Sequence, residues 1–151
     1  MTIVMSPRER FSLTLRSTES LHSDLSVPFA FICVDGGSPP AMRNHLRAEA
    51  HRRGFQLIRT EHYLTPNEAR NLGLAEVKTP FVVFVDNDLV VEPGWLEHLL
   101  RCADETGAEI VAPLICEGEP LHTTIHMAGG DARLIVENGE YATKAYGSRK
   151  D

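Results

Sequence analysis

Asp86-Asn87-Asp88 carries two carboxylates separated by one residue, directly after the apolar run Phe81-Val82-Val83-Phe84-Val85. In an extended chain alternate side chains point the same way, so Asp86 and Asp88 would share a direction, with Cα atoms about 6.5 Å apart. Two carboxylates that close repel unless a cation lies between them or one takes a proton. A divalent metal satisfies such a pair, and hard oxygen donors favour magnesium, manganese or calcium over zinc. The competing reading is ordinary loop chemistry, with an aspartate capping the turn that follows a strand. The five residues before the pair are β-branched or aromatic and read as a strand buried on both faces.

The elements that must position this tip are laid out on both sides of it. Thr2 to Met5 is a short apolar strand, and Ser6-Pro7-Arg8-Glu9 has the grammar of a helix start: a capping hydroxyl, a proline and a glutamate three residues on. The helix is expected to run to about Leu21, with Phe11, Leu15 and Leu21 on one side. Val27 to Val34 is a second strand, ending in Asp35-Gly36-Gly37-Ser38-Pro39-Pro40, where glycines permit a tight turn and prolines lead into a helix. Met42, Leu46 and Ala50 fall four apart, Gly54 closes that helix, and the arginines at 43, 47, 52 and 53 read as a solvated face with Glu49 and Arg53 as an i,i+4 pair. Phe55 to Ile58 is a third strand. Thr65-Pro66-Asn67-Glu68 repeats the capping grammar and opens a helix to about Glu76. After the acidic tip, Glu92-Pro93-Gly94 starts a helix bearing Leu96, Leu99, Leu100 and Ala103, which Gly107 stops, and Glu109 to Ala112 is a fifth strand.

Strand and helix alternate four times with short connections, which implies an α/β fold: a mostly parallel sheet with helices on both faces. Ligands in such sheets gather outside the carboxyl ends of the strands. Met5-Ser6, Asp35-Gly36, Arg59-Thr60 and the acidic tip all fall on that edge. The pattern changes after Pro113: His122 to Met127 is a candidate strand, and Leu134 to Tyr141 reads as a C-terminal β-hairpin around Asn138-Gly139. Gly147 to Asp151 is expected to fray.

Composition narrows the partners. The 151 residues suffice for one domain, and 42% hydrophobic with 24% charged residues argues for a packed core. A net charge of −6 and a pI near 5.6 argue against a nucleic-acid partner. Phosphate would have to be met by a metal or a local cluster of donors. Cys33, Cys102 and Cys116 form no metal-binding spacing and read as reduced, buried thiols. No apolar run approaches the ~20 residues of a transmembrane segment and no secretory signal is visible, so the expected localisation is cytoplasmic. Neither a GxGxxG nor a GxxxxGK[ST] loop is present, which removes the usual dinucleotide and P-loop readings.

Five ordered segments then carry a resemblance: Arg10 to Leu21 with Glu19-Ser20-Leu21; Val34-Asp35-Gly36-Gly37-Ser38; Asn67-Glu68-Ala69-Arg70-Asn71-Leu72-Gly73; Phe84 to Asp88; and Glu92-Pro93-Gly94-Trp95-Leu96. Together they resemble the GT-A domain of family 2 glycosyltransferases, over residues 2 to 131. The resemblance implies a Rossmann-like nucleotide-diphospho-sugar transferase fold over a single domain 1–151, with nucleotide-sugar-binding βα units in 1–113 and a truncated acceptor-side segment in 114–151. It implies an inverting glycosyltransferase that uses a UDP- or GDP-type nucleotide sugar, a divalent metal (Mn2+ or Mg2+), and an acceptor glycan, lipid or protein. Asp35 would then meet the base or ribose, and Asp86 the ribose or, through water, the metal. Asp88 would ligate the metal, and Arg70 and Asn71 would line the donor pocket. Read without the resemblance, Arg70 is a surface ion-pairing residue and Asn71 a local cap.

A general base for the acceptor is not identifiable. Asp131, Glu137 and Glu140 lie downstream, but none sits in a family motif and solvated turn residues around a hairpin are the better reading of them. The alternatives are therefore a non-catalytic or incomplete nucleotide-sugar-binding domain, and a haloacid-dehalogenase-like phosphatase in which Asp86 is nucleophile and Asp88 acid/base. Against the phosphatase, three strands precede this one and no later Asp-Asp pair is present. His122 and His126 share a face whether on a helix or a strand, but they lack a third zinc ligand nearby. His126-Met127-Ala128-Gly129-Gly130 resembles a family segment bordering the acceptor side.

Overall fold

Four apolar stretches, each closed by a turn and separated by helices, become four parallel strands. The computed structural model describes residues 1–23, 27–118, 123–128, 130–137 and 140–147, the last two ranges as backbone only. β1 (Thr2–Ser6), β2 (Ala30–Gly36), β3 (Gln56–Thr60) and β4 (Val82–Asp86) pair in the order β3-β2-β1-β4, every pairing parallel. Between them run α1 (Thr14–Ser23), α2 (Pro40–Arg53) and α3 (Pro66–Ala75). Parallel crossovers are right-handed, so reversing the direction of travel after β3 puts α3 on the face opposite α1 and α2. The side chains agree with that assignment. Ser17 of α1 meets Met5, whereas Gly73 of α3 sits over Val4 and Val34 on the other face.

The α3 face forms a core of Val4, Ile32, Val34, Leu64 and Ala69, with Ile58, Val77 and Val82 packed against it. Thr65 caps α3 as expected: its hydroxyl accepts from the Glu68 backbone, and the Glu68 carboxylate accepts from the Thr65 N–H at 2.8 Å. Gly54 ends α2 in the left-handed conformation at φ 73. On that helix Glu49 takes both Arg52 and Arg53, whose hydrogen bonds hold its carboxyl down at about 2. Arg43 departs from the solvated face, because its Nε is buried without a partner.

The expected helix start at Ser6 is not formed. Ser6 is the last residue of β1, in register with Asp86, and its hydroxyl donates to the Val34 carbonyl at 2.9 Å. The helix begins only after a 3-10 turn at Phe11–Leu13. Its buried face is Thr14, Ser17, Thr18 and Leu21, while Leu15 is exposed. Thr18 folds its hydroxyl back onto the Thr14 carbonyl, so this polar face is satisfied internally and can approach the sheet closely. β4 is not covered on both faces. Within the four-stranded sheet it is an edge strand, with Phe84 exposed and only Val85 buried.

The chain divides into two compact units, Met1–Trp95 and Leu96–Asp151. The first holds the sheet. The second takes up α4 (Trp95–Thr106), in which Leu96 is buried and Leu99, Leu100 and Ala103 are half-buried, as their spacing implied. Gly107 ends α4 at φ 65. Glu109 to Ala112 is irregular, and the fifth strand comes later: β5 (Leu114–Glu117) pairs antiparallel with β6 (Thr124–Ala128), with a register shift between Ile115 and Cys116. β7 (Gly130–Glu137) and β8 (Glu140–Gly147) form the C-terminal hairpin, its last pair Gly130 with Gly147. The turn at Asn138-Gly139, and the positions of His122, Gly129 and 148–151, lie outside the described residues. Of the thiols, Cys33 is buried and pushed up in pKa by burial, Cys116 is half-buried, and Cys102 is exposed, contrary to its expected place in the core. No described helix is long and apolar enough to cross a membrane.

Candidate functional site

The strand order places a reversal between β1 and β4, because successive strands step one way from β1 and the fourth returns to its other side. A crevice at the carboxyl end of such a reversal is where an open α/β sheet takes its ligand. Ser6 and Asp86 end the two strands there, in register. A shallow recess opens on that edge, lined by Ser6, Arg8, Pro66, Arg70, Phe84 and Asp86 among others. A larger hollow of about 540 Å³ lies at the opposite edge, by Thr2, Ala30 and Gln56. The titratable groups of the strand ends are not there, so size alone does not identify the site.

The two aspartates do not continue one extended strand. β4 stops at Asp86, and the chain turns through Asn87 and Asp88, with Leu89 N–H reaching back to the Asp86 carbonyl at 3.4 Å. The alternation that would aim both carboxylates one way therefore ends one residue too soon. Asp86, 68% exposed, faces Arg70 of α3, Nη2 to Oδ1 3.5 Å; Asp88, 29% exposed, faces Arg10, Nη1 to Oδ2 3.1 Å. Asn87 is buried between them and donates to the Glu9 carbonyl at 2.8 Å and the Thr14 hydroxyl at 3.0 Å. It thereby fastens the acidic turn to the segment that leads from β1 into α1.

Arg70 and Asn71 both lie on α3. Arg70 is half-exposed, with its guanidinium carbon 6.0 Å from the Phe84 ring centroid, a cation–π distance, and Asn71 is exposed. Asp35 is placed differently from a surface ligand. It is fully buried, its Oδ1 accepts from Ser38 N–H at 2.9 Å, and its Oδ2 accepts from the Ser38 hydroxyl at 2.9 Å and from Arg59. Asp35 thus braces the turn after β2 and holds Arg59. Glu61 engages the other side of that guanidinium, and the hydrogen bonds that Arg59 donates to Glu61 and Asp35 raise its pKa. Glycines keep the two loops together: a Cβ on Gly36 would lie 2.9 Å from Leu64 N, and one on Gly37 3.1 Å from the His62 carbonyl carbon.

Arg59, already placed on the ligand edge, is the next-to-last residue of β3. Two site residues escaped the sequence reading, Arg8 and Arg10, which follow β1. Their position at the carboxyl edge is the signal that could have found them. Arg8 pairs with Glu9 at 2.9 Å, and its neighbour Tyr63 chiefly accounts for its raised pKa. Farther along the chain, His126 lies 3.3 Å from Glu117 across β5 and β6. Side chains of Asp131, Glu137 and Glu140 are outside the described residues.

Asp86 and Asp88 suit a hard divalent cation in donor chemistry. Among the described residues no third histidine, cysteine or carboxylate joins them. Two carboxylates leave most of an octahedral shell for water and phosphate oxygens, as magnesium and manganese commonly require at phosphate sites.

The family model described as Glycosyl transferase family 2 matches residues 2–140. The chain is 30% identical over 145 residues to the pre-mycofactocin glycosyltransferase of Mycobacterium tuberculosis, covering 89% of this chain and 30% of that protein. It is 32% identical over 113 residues to polypeptide N-acetylgalactosaminyltransferase 15 of Homo sapiens, covering 71% and 17%. The chain therefore spans less than a third of the length of these curated relatives. Among solved structures, S. aureus TarS 1-349 in complex with UDP-GlcNAc superposes with TM-score 0.61 at 17% identity, covering 77% of this chain and 38% of that one. Mannosyltransferase PcManGT from Pyrobaculum calidifontis, in complex with GDP-Man and Mn2+, superposes with TM-score 0.61 at 15% identity, covering 76% and 33%. These likenesses establish the GT-A type of fold, and the family match sets aside the phosphatase alternative. With residues 2–140 of its 151 matched by that family model, this chain belongs to glycosyl transferase family 2.

Proposed function

We propose that this chain binds a nucleotide-diphosphate sugar, of UDP or GDP type, and serves an inverting glycosyl transfer to an acceptor hydroxyl. The observation that carries the reading is the acidic turn at the β1/β4 reversal, ringed by Arg8, Arg10 and Arg70. Carboxylates for a cation and guanidiniums for phosphate oxygens are what a metal-bound diphosphate requires. Proteins of the same fold that carry UDP-GlcNAc, or GDP-Man with Mn2+, support it.

Asp86 and Asp88 would hold Mn2+ or Mg2+, which when bound offsets the negative charge that builds on the departing nucleoside diphosphate. Arg70, released from Asp86, donates to a phosphate oxygen. Asn71 lines the same pocket from the next position of α3. Asp35 contributes on the nucleoside side, through the turn it braces and the Arg59 it orients. Residues 1–113 supply this donor half and 114–151 the acceptor side. A single displacement by an acceptor hydroxyl on the face opposite the diphosphate inverts the anomeric centre.

The test is turnover of α-linked UDP- and GDP-sugars with Mn2+, with the product anomer read by NMR. A β-linked product, lost in Asp88→Ala, is expected. An α-linked product would refute inversion. Donor binding without transfer over a broad acceptor panel would leave a nucleotide-sugar-binding domain.

A further inference from the structure

Arg10 is the one described residue other than glycine with a positive φ, at φ 48 and ψ 42. A side chain with a β-carbon seldom adopts that conformation, and it persists where neighbouring contacts over-determine it. Here those contacts are clear. The Arg10 carbonyl accepts from Leu13 N–H at 2.9 Å and opens the 3-10 turn, and the adjacent Glu9 carbonyl is held by Asn87. The backbone that carries Arg10 is thus tied to the turn that carries Asp88, and the guanidinium rests on that carboxylate. The side chain itself is loosely held, 70% exposed. Arg70 differs, since Phe84 lies beneath its guanidinium and its separation from Asp86 is longer. A pinned backbone with a free, charged tip over a carboxylate has the form of a replaceable counter-ion.

We propose that Arg10 is an exchangeable counter-ion of the donor site. It neutralises Asp88 while no donor is bound, and it moves to a diphosphate oxygen when a divalent cation takes Asp88, an idea that rests on reading Asp88 as a metal ligand. The exchange changes no covalent bond. Metal arriving alone must displace a guanidinium that then has no partner. With a nucleoside diphosphate present, the guanidinium gains a new anion at the same moment. Metal and diphosphate therefore help each other more than their own attraction in solution accounts for, and the excess belongs to Arg10.

The experiment titrates Mn2+ alone, UDP alone and the two together into the full chain, following free Mn2+ by electron paramagnetic resonance and UDP by calorimetry. Wild type is compared with Arg10→Gly, Arg10→Lys and Asp88→Asn. Glycine accepts the left-handed conformation, so Arg10→Gly removes the charge without straining the turn. Arg10→Gly is expected to bind Mn2+ alone roughly two- to fivefold tighter than wild type, the range of one exposed ion pair, and to lose by a similar factor the extra Mn2+ affinity that UDP confers. Arg10→Lys should move both values back toward wild type. Unchanged or weaker Mn2+ binding in Arg10→Gly, with binding abolished in Asp88→Asn, overturns the exchange and leaves the donor site standing. Wild type that binds neither Mn2+ nor UDP removes the donor site and the exchange together.

Discussion

Replacing Asn87 tests how the acidic turn is held. Its side chain is 5% exposed and donates to the Glu9 carbonyl and the Thr14 hydroxyl, 78 and 73 residues away in sequence. A carbonyl can only accept, so the amide must present its nitrogen on that side. Each hydrogen bond contributes about 1 kcal/mol net, and an acceptor left buried without a donor costs about 1–3 kcal/mol. Asn87→Ala should therefore lower unfolding free energy by about 2–3 kcal/mol. Asn87→Asp has almost the same shape but no donor, and it adds a third negative charge between Asp86 and Asp88. Its loss should exceed that of alanine, above about 3 kcal/mol. Thr14→Val removes one of the two bonds and should cost about 1 kcal/mol, and a double-mutant cycle with Asn87→Ala should show the two coupled. Urea unfolding at pH 7 measures the four variants against wild type. An Asn87→Asp variant within about 0.5 kcal/mol of wild type would refute the tether, since surface changes of no structural consequence fall in that range.

Two further predictions concern the scaffold. Gly73→Ala would put a Cβ 2.3 Å from Val4 Cγ1 and 3.3 Å from Val34 Cγ2, both on the stiff, buried side chains under α3. At so short a contact overpacking of about 2–3 kcal/mol outweighs the roughly 1 kcal/mol gain in helix propensity, so thermal melting should show a net loss of about 1–2 kcal/mol; a stabilised variant contradicts the packing. Glu49 has a folded pKa of about 2, below its ordinary 4.5, through the hydrogen bonds of Arg52 and then Arg53. Its stabilisation is complete above pH 4.5 and is lost as pH falls toward 2. Discounted for solvent screening at this 14% exposed carboxylate, Glu49→Gln should cost about 1 kcal/mol at pH 7 and close to nothing near pH 2. A gap independent of pH would contradict the ion pair.

The comparison of Thr65 with Ser6 explains what could be read from sequence. Both stand before proline and glutamate at capping spacing, yet only Thr65 caps a helix. A capping box is local, and at Thr65 nothing competes with it. Ser6 is claimed by the β1 ladder and by the Val34 carbonyl, partners that local spacing does not reveal. The glycines that end α2 and α4 were legible for the same reason that Thr65 was. The parallel sheet followed from the alternation of strands and helices, and the acidic pair from its position after an apolar run. Arg10 was not legible as a site residue, and Arg59 was legible only by its place on the ligand edge, because their partners Asp88 and Asp35 lie 78 and 24 residues away. Asp35 was legible as a residue of the ligand edge, but its burial under Ser38 and Arg59 was not. Glu109 to Ala112 has strand-like composition, but the pairing falls on Leu114–Glu117, set by its antiparallel partner.

The acidic turn as a metal-dependent donor site is tested most directly by titrating UDP-sugars and GDP-sugars into wild type and Asp88→Ala, with and without Mn2+. Saturating one of these donors to about 100 times its dissociation constant adds about 2.7 kcal/mol to folded stability, well within reach of a thermal-shift or calorimetric readout. The predicted result is a donor-dependent stabilisation of wild type that requires Mn2+ and is absent in Asp88→Ala. No stabilisation by any UDP- or GDP-sugar with Mn2+, or the same stabilisation in Asp88→Ala, would contradict it.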